Sequence, residues 1–178
     1  MKVGLFDHLE RSDRPLATEF DERLTFAVAA WGLDANATKF LDDAIRGNLA
    51  EVKMGELAQK RGSSEEVREF GKTLVTDHNA GFQKSSSLAQ KLGVIAPTEP
   101  SAEASKDYDA LAKLSGSEFD RQFASHMVED HEKDLVAYRE EAKNGSEPQV
   151  AMYAEQTLPT LQKHLDAARS IESKLKGK

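Results

Sequence analysis

The stretch SSEEVREFGKTLVTDHNAGFQKSSSLAQKLG, residues 63–93, decides the fold. Ser63 followed three residues later by Glu66 is a capping box, in which each side chain bonds the other's backbone N–H, so a helix opens here. Gly93 closes it. Between them Val67, Gly71, Leu74, Val75, Phe82, Ala89 and Leu92 recur at helical spacing and draw one stripe, too long for a strand. His78 stands at the centre of that stripe, an ionisable group where the pattern calls for an apolar one.

Reading outward, a first helix spans 38–61 and stops at Gly62. Downstream, Val94 to Pro100 (VIAPTEP) is a loop with two prolines, and 101–115 reads as a short helix ended by Gly116. Ser117 is then expected to cap a long helix that ends at Asn144-Gly145. Ser146, Glu147 and Pro148 open the last helix, with proline in the first turn where its missing N–H costs nothing. Pro159 lies inside that helix and is expected to kink it or remove one hydrogen bond. Sustained alternation of apolar and polar residues is missing, so strands are not expected.

Four long helices therefore form two hairpins, 38–62 with 63–93 and 118–143 with 147–175, joined by a crossover of about 24 residues. Short turns make neighbours antiparallel, while the long link can cross the bundle. The expectation is an all-α protein: a ferritin-like antiparallel four-helix bundle with one long crossover carrying a short extra helix. Residues 38–178 make that domain, and 1–37 read as an N-terminal arm or short amphipathic helix.

Composition agrees and excludes much else. The 178 residues suit one domain with a sizeable core. With no cysteine there are no disulfides, thiolate metal sites, iron–sulfur clusters or cysteine nucleophiles. A net charge of −7 without a basic run excludes nucleic acid and anionic lipid as expected partners. No apolar run reaches membrane-spanning length. Leu24 to Leu33 followed by Ala35-Asn36-Ala37 has the outline of a signal peptide, but Asp13, Glu19, Asp21 and Glu22 give it an acidic flank where a signal needs a positive one. A cytoplasmic protein is the default expectation, and an exported or periplasmic one the alternative.

On helical wheels each long helix points one ionisable side chain inward. Glu51 sits among Phe40, Ala44, Gly47, Met54, Gly55 and Ala58. His131 sits among Ala124, Met127, Val128, Leu135 and Tyr138, and His164 among Tyr153, Leu161, Ala168 and Ile171. Their levels match too. Glu51 lies 11 residues before Gly62 and His78 15 after Ser63; His131 lies 14 before Gly145 and His164 16 beyond Pro148. At about 1.5 Å per residue, partners within a hairpin differ by roughly 3–6 Å in level. The four groups can converge. Left unpaired they would cost on the order of 1–3 kcal/mol each, so they must satisfy each other, hold water or bind something. Glu51, His78, His131 and His164 form a good ligand set for a divalent transition metal, zinc first, with iron or copper as alternatives.

The remaining polar groups have blander readings. His126 falls opposite His131 and is expected in solvent. Asp77 and Asp130 point about 100° away from the histidines they precede, which suits edge ion pairs or orientation of an imidazole on a neighbouring helix. Asp120 and Asp134 lie nearer the inward face and are candidates for extra oxygen ligands. Tyr138, Tyr153, Met54 and Met127 read as core.

Three segments, Ala44 to Ala58 (AIRGNLAEVKMGELA), Phe70 to His78 (FGKTLVTDH), and Phe119 to His131 with the later Leu158-Pro159 to His164-Leu165, resemble the bacterial domain-of-unknown-function family 4142. The resemblance covers about residues 38–175. It implies an all-helical, ferritin-like domain, often in exported bacterial proteins and without an established activity, whose recurrent polar positions match Glu51, His78, His131 and His164. Catalytic ferritin-like proteins use Glu-x-x-His pairs, whereas the residues three before His78, His131 and His164 are Val75, Val128 and Leu161. Di-iron oxygen chemistry is therefore not expected.

The function expected from these residues is metal binding, with one ion held mid-bundle for a structural or metal-handling role and no catalytic residue assigned. A homodimer is allowed. The rival is a metal-free helical scaffold that binds a partner and buries a His/Glu hydrogen-bond network. An iron-dependent oxidase or peroxidase, and haem held between histidines, are further alternatives.

Overall fold

The computed structural model describes residues 34–177. Residues 1–33 of the expected 1–37 N-terminal arm, with the Leu24 to Leu33 segment, lie outside the described residues; residues 34–37 belong to the cap and first turn of the first helix. Five helices follow in order: α1 Ala35–Arg61, α2 Glu65–Lys91, α3 Ala102–Leu111, α4 Gly116–Asn144 and α5 Pro148–Lys176. The described residues contain no β-strand. The four long helices form an antiparallel bundle with one long crossover, residues 92–115, that carries α3.

The helix ends show why the boundaries fall where they do. α1 starts three residues before Thr38 because the Asp34 carboxylate accepts the N–H of Asn36 at 3.1 Å and so caps the first turn. The Ala35-Asn36-Ala37 triplet is thus helical, and Ala37 is buried in the core. α2 is capped by Ser64, whose hydroxyl accepts the Val67 N–H at 3.3 Å, and not by Ser63. Ser63 is used elsewhere: its N–H and hydroxyl, with the Ser64 N–H, donate to the Asp120 carboxylate of α4 at 2.7–2.8 Å. These three bonds tie the first hairpin's turn to the second hairpin and displace the expected cap by one residue.

α3 is shorter than expected, ending at Leu111, with Ser101 capping it through the Ala104 N–H at 3.0 Å. α4 starts at Gly116 with Ser115 as a cap that makes no side-chain bond, so Ser117 lies in the first turn and is not the cap. Gly116 has φ +62°, a left-handed conformation that only glycine adopts at little cost, and it turns the chain into α4. α5 runs unbroken through Pro159. Pro159 and Glu155 both sit on the exposed face, so the one hydrogen bond lost there is lost where water reaches.

Within the first hairpin the backbones of α1 and α2 touch. A Cβ on Gly55 would lie 2.6 Å from the Gly71 carbonyl oxygen, and one on Gly71 equally 2.6 Å from that of Gly55. The core then divides along the bundle. Besides a cluster of Ala37, Leu41, Ile45, Ala89 and Val150, one part packs Met54, Phe70, Leu74, Phe119, Phe123 and Met127 and another packs Ala44, Leu135, Tyr138, Tyr153, Leu161 and Leu165. A polar layer lies between them.

Candidate metal centre

That layer holds His78 on α2, His131 on α4 and His164 on α5, exposed by 6%, 0% and 1%. One ring nitrogen from each lies within 4.8 Å of one from each of the others. The ring centroids are 5.2 Å (His78–His164), 5.3 Å (His131–His164) and 5.9 Å (His78–His131) apart. Apolar neighbours press on the rings, with Phe70 edge-on to His164 at 6.2 Å.

Each ring is held from outside by an acceptor. His78 Nδ1 lies 3.0 Å from Asn48 Oδ1, and the Asn48 amide is itself oriented by donating to the Ala44 carbonyl at 2.7 Å. His131 Nδ1 lies 2.9 Å from the Met127 carbonyl one turn back on its own helix. His164 Nε2 lies 2.9 Å from the Asp77 carboxylate of α2. Carbonyl and carboxylate oxygens only accept, so each of these nitrogens carries the proton. In the neutral rings the other nitrogens are bare: His78 Nε2, His131 Nε2 and His164 Nδ1. His78 Nε2 is buried and finds no hydrogen-bond partner among the described residues. His131 Nε2 and His164 Nδ1 face each other at 3.3 Å.

Burial keeps all three rings neutral. It pushes the His78 pKa well below its ordinary value, helped by the neighbouring His164 and His131. Burial, then His164, brings His131 down to about 4. Burial also lowers His164, against the opposing pull of Asp77.

Glu51 is deeply buried on α1, as its place on the wheel predicts, but it stands outside the three-histidine group. Its pKa is pushed well above the usual carboxylate range by burial and then by Asp130 beside it, with Asp134 adding to the effect. Burial, then the charges of Asp130 and Asp43, raises Asp134 to about 7. Asp120 is buried as the cap of the Ser63–Ser64 turn and is not near the histidines as a ligand. His126 is half-buried at the lip of a cavity between α1, α3 and α4, not fully in solvent. Tyr138 and Tyr153 pack edge-to-face around Phe40, with centroids 4.9 and 6.5 Å from it.

Asn48 is the functional residue that sequence reasoning missed. It lies four residues after Ala44 and three before Glu51, an amide on a face of small side chains, and that oddity was the available signal. Gly81 gives it room, since a Cβ there would collide with the Asn48 side-chain oxygen.

A family model described as "Domain of unknown function (DUF4142)" matches residues 25–171. The chain belongs to this family. The match starts upstream of residue 38 and reaches every long helix of this DUF4142 domain, ending within α5. A crystal structure of a DUF305 fragment from Deinococcus radiodurans is similar in fold, with a TM-score of 0.68 and 14% identity, covering 82% of this chain and 98% of that one. No curated protein matches the chain. Among the described residues of this DUF4142 domain, no helix is long and apolar enough to cross a membrane.

Proposed function

We propose that this protein binds one divalent transition-metal ion through His78, His131 and His164, for a structural or metal-handling role. The observation that carries the reading is the 3.3 Å approach of His131 Nε2 and His164 Nδ1. Both rings give their N–H to outside acceptors, and both are held neutral. Two lone pairs then face each other with no proton between them, which is unfavourable unless a cation sits there. Two imidazole nitrogens on a tetrahedral zinc ion, each at about 2.0–2.1 Å, stand about 3.3 Å apart. His78 Nε2, otherwise unpartnered, supplies the third donor by a modest ring rotation.

Three neutral nitrogen donors favour zinc, with copper or iron as alternatives. The acceptors Asn48, Met127 and Asp77 are the kind of outer partners that orient ligating histidines and raise their basicity. Glu51 lies outside the donor set in this arrangement. Three protein ligands leave one position for water or a small molecule, as in catalytic rather than closed structural zinc sites. The absence of a Glu-x-x-His pair argues against di-iron chemistry.

Elemental analysis of protein purified without chelator, with Co²⁺ titration followed by visible absorption, tests the reading. One equivalent of metal, lost in His78→Ala, is expected. A folded protein that takes up no transition metal, and whose stability ignores chelator, overturns it and favours the metal-free scaffold.

A further inference from the structure

A cavity of about 230 Å³ adjoins the histidine layer, and all four long helices line it. Ala44 and Gly47 of α1 and Gly81 of α2 give its lining little bulk, and a Cβ built on Gly47 would meet nothing within 4 Å. Three aromatic rings form much of the wall. Phe40, Tyr138 and Tyr153 stand with centroids 4.9–6.5 Å apart, tilted to one another and not stacked. His78 lines the cavity as well, so the space touches the histidine layer at that one ring.

Tyr153 is the anomaly. It is 7% exposed, and its buried hydroxyl finds no hydrogen-bond partner among the described residues. The Tyr138 ring, 6.1 Å away, does not meet it in hydrogen-bonding geometry. A buried hydroxyl without a partner is costly, and buried Tyr hydroxyls usually find one. The space beside this one is open to a molecule that brings the missing partner.

Size and charge narrow the class of that molecule. An apolar cavity of about 150 Å³ holds benzene, so this one admits a single ring with a small substituent. Asp43, Asp77 and Asp134 line it against one cation, Lys84. With Asp134 protonated the carboxylates still outnumber the cation, so an anionic ligand is repelled. Aromatic walls with a few placed polar groups are the usual make-up of a small-molecule pocket.

We infer that this cavity binds a small, uncharged, single-ring aromatic molecule, its ring against Phe40, Tyr138 and Tyr153 and its one polar substituent on the Tyr153 hydroxyl. The inference goes beyond metal binding and stands on the cavity, with or without an ion at the histidines.

The test titrates the full chain with phenol, benzene and benzoate while nuclear magnetic resonance follows the backbone amides, once as purified and once with chelator. Phenol should give saturable shifts at Gly47, Gly81 and Tyr153 in both preparations, benzene should bind at least threefold more weakly, and benzoate should not bind. In Tyr153→Phe the affinity for phenol should fall to that for benzene, with benzene unchanged. Gly47→Leu, which fills open space and replaces a helix glycine, should keep the melting temperature and weaken phenol at least tenfold. A wild type in which none of the three molecules gives saturable shifts overturns the site and leaves the Tyr153 hydroxyl to water. Phenol binding that survives both substitutions, or that vanishes with chelator, also overturns it, the latter by making phenol a ligand of the metal. Phenol binding by a protein that takes up no transition metal refutes the histidine reading alone.

Discussion

His131 Nε2 and His164 Nδ1 lie 3.3 Å apart with both of their rings' protons committed outward, to the Met127 carbonyl and the Asp77 carboxylate. Two helices thus present a pair of bare nitrogens to one point in a buried layer. The outer acceptors matter as much as the ligands, because they decide which nitrogen is free.

Removing those acceptors should weaken metal binding without touching a ligand. Asp77→Ala and Asn48→Ala are each expected to cost about 10–100-fold in affinity. Competition against a chromophoric chelator measures this. Glu132→Gln, at an exposed ion pair with Arg169, serves as a control and should bind as wild type. Unchanged affinity in both acceptor variants would remove the orienting role.

Acid should act on the metal-free protein in two opposed ways. The unfolded chain takes up a proton on His131 near pH 6.5, the folded one only at about 4. Between those values the unfolded state binds more protons, so stability falls as pH drops, by about 3 kcal/mol from this residue. Asp134, raised to about 7, works in the other direction: the folded state binds more protons from pH 7 down to the ordinary value of 3.8, so acidification relieves a burden. Asp134→Asn deletes that relief. Its melting temperature should therefore drop more steeply than that of wild type between pH 7 and 4, and parallel curves would refute the assignment.

At the Gly55–Gly71 contact, a methyl group has nowhere to go. Gly71→Ala is expected to push α1 from α2 and cost about 1–3 kcal/mol, read as a lower urea midpoint at unchanged slope. An unshifted midpoint would mean that the hairpin opens at little cost.

Asp120 is a cap between hairpins. Burial alone would raise its pKa, but hydrogen bonds from Ser63 and Ser64 outweigh it and hold the carboxyl below its usual value. Asp120→Ala leaves three donors without their acceptor and should destabilise the fold by about 2–3 kcal/mol at neutral pH. Because the folded pKa is lowered, that contribution is present above the ordinary carboxylate value and fades as pH falls through the folded one. Metal stoichiometry in the variant should stay as in wild type; a loss would return Asp120 to the ligand set.

The long helices were readable because their signals are local. Glycine and proline mark the ends, and a stripe at helical spacing marks the buried face of residues 63–93. The caps were less readable. Ser63 and Ser64 are equally good caps by type, and what separates them is Asp120, 57 and 56 residues away in sequence. Ser117 likewise looks like a cap, yet the left-handed turn at Gly116 lets the helix start before it.

The sequence by itself determined the order of helices, the two hairpins and the inward direction of Glu51, His78, His131 and His164, because helical periodicity fixes which way a side chain points. Only the tertiary structure decided who meets whom. The relative height and rotation of neighbouring helices put three imidazoles together, sent Glu51 toward Asp130, and gave His78 its Asn48. Hydrogen bonding depends on tenths of an ångström, and the spacing of residues along one helix carries no information about the offset of the next.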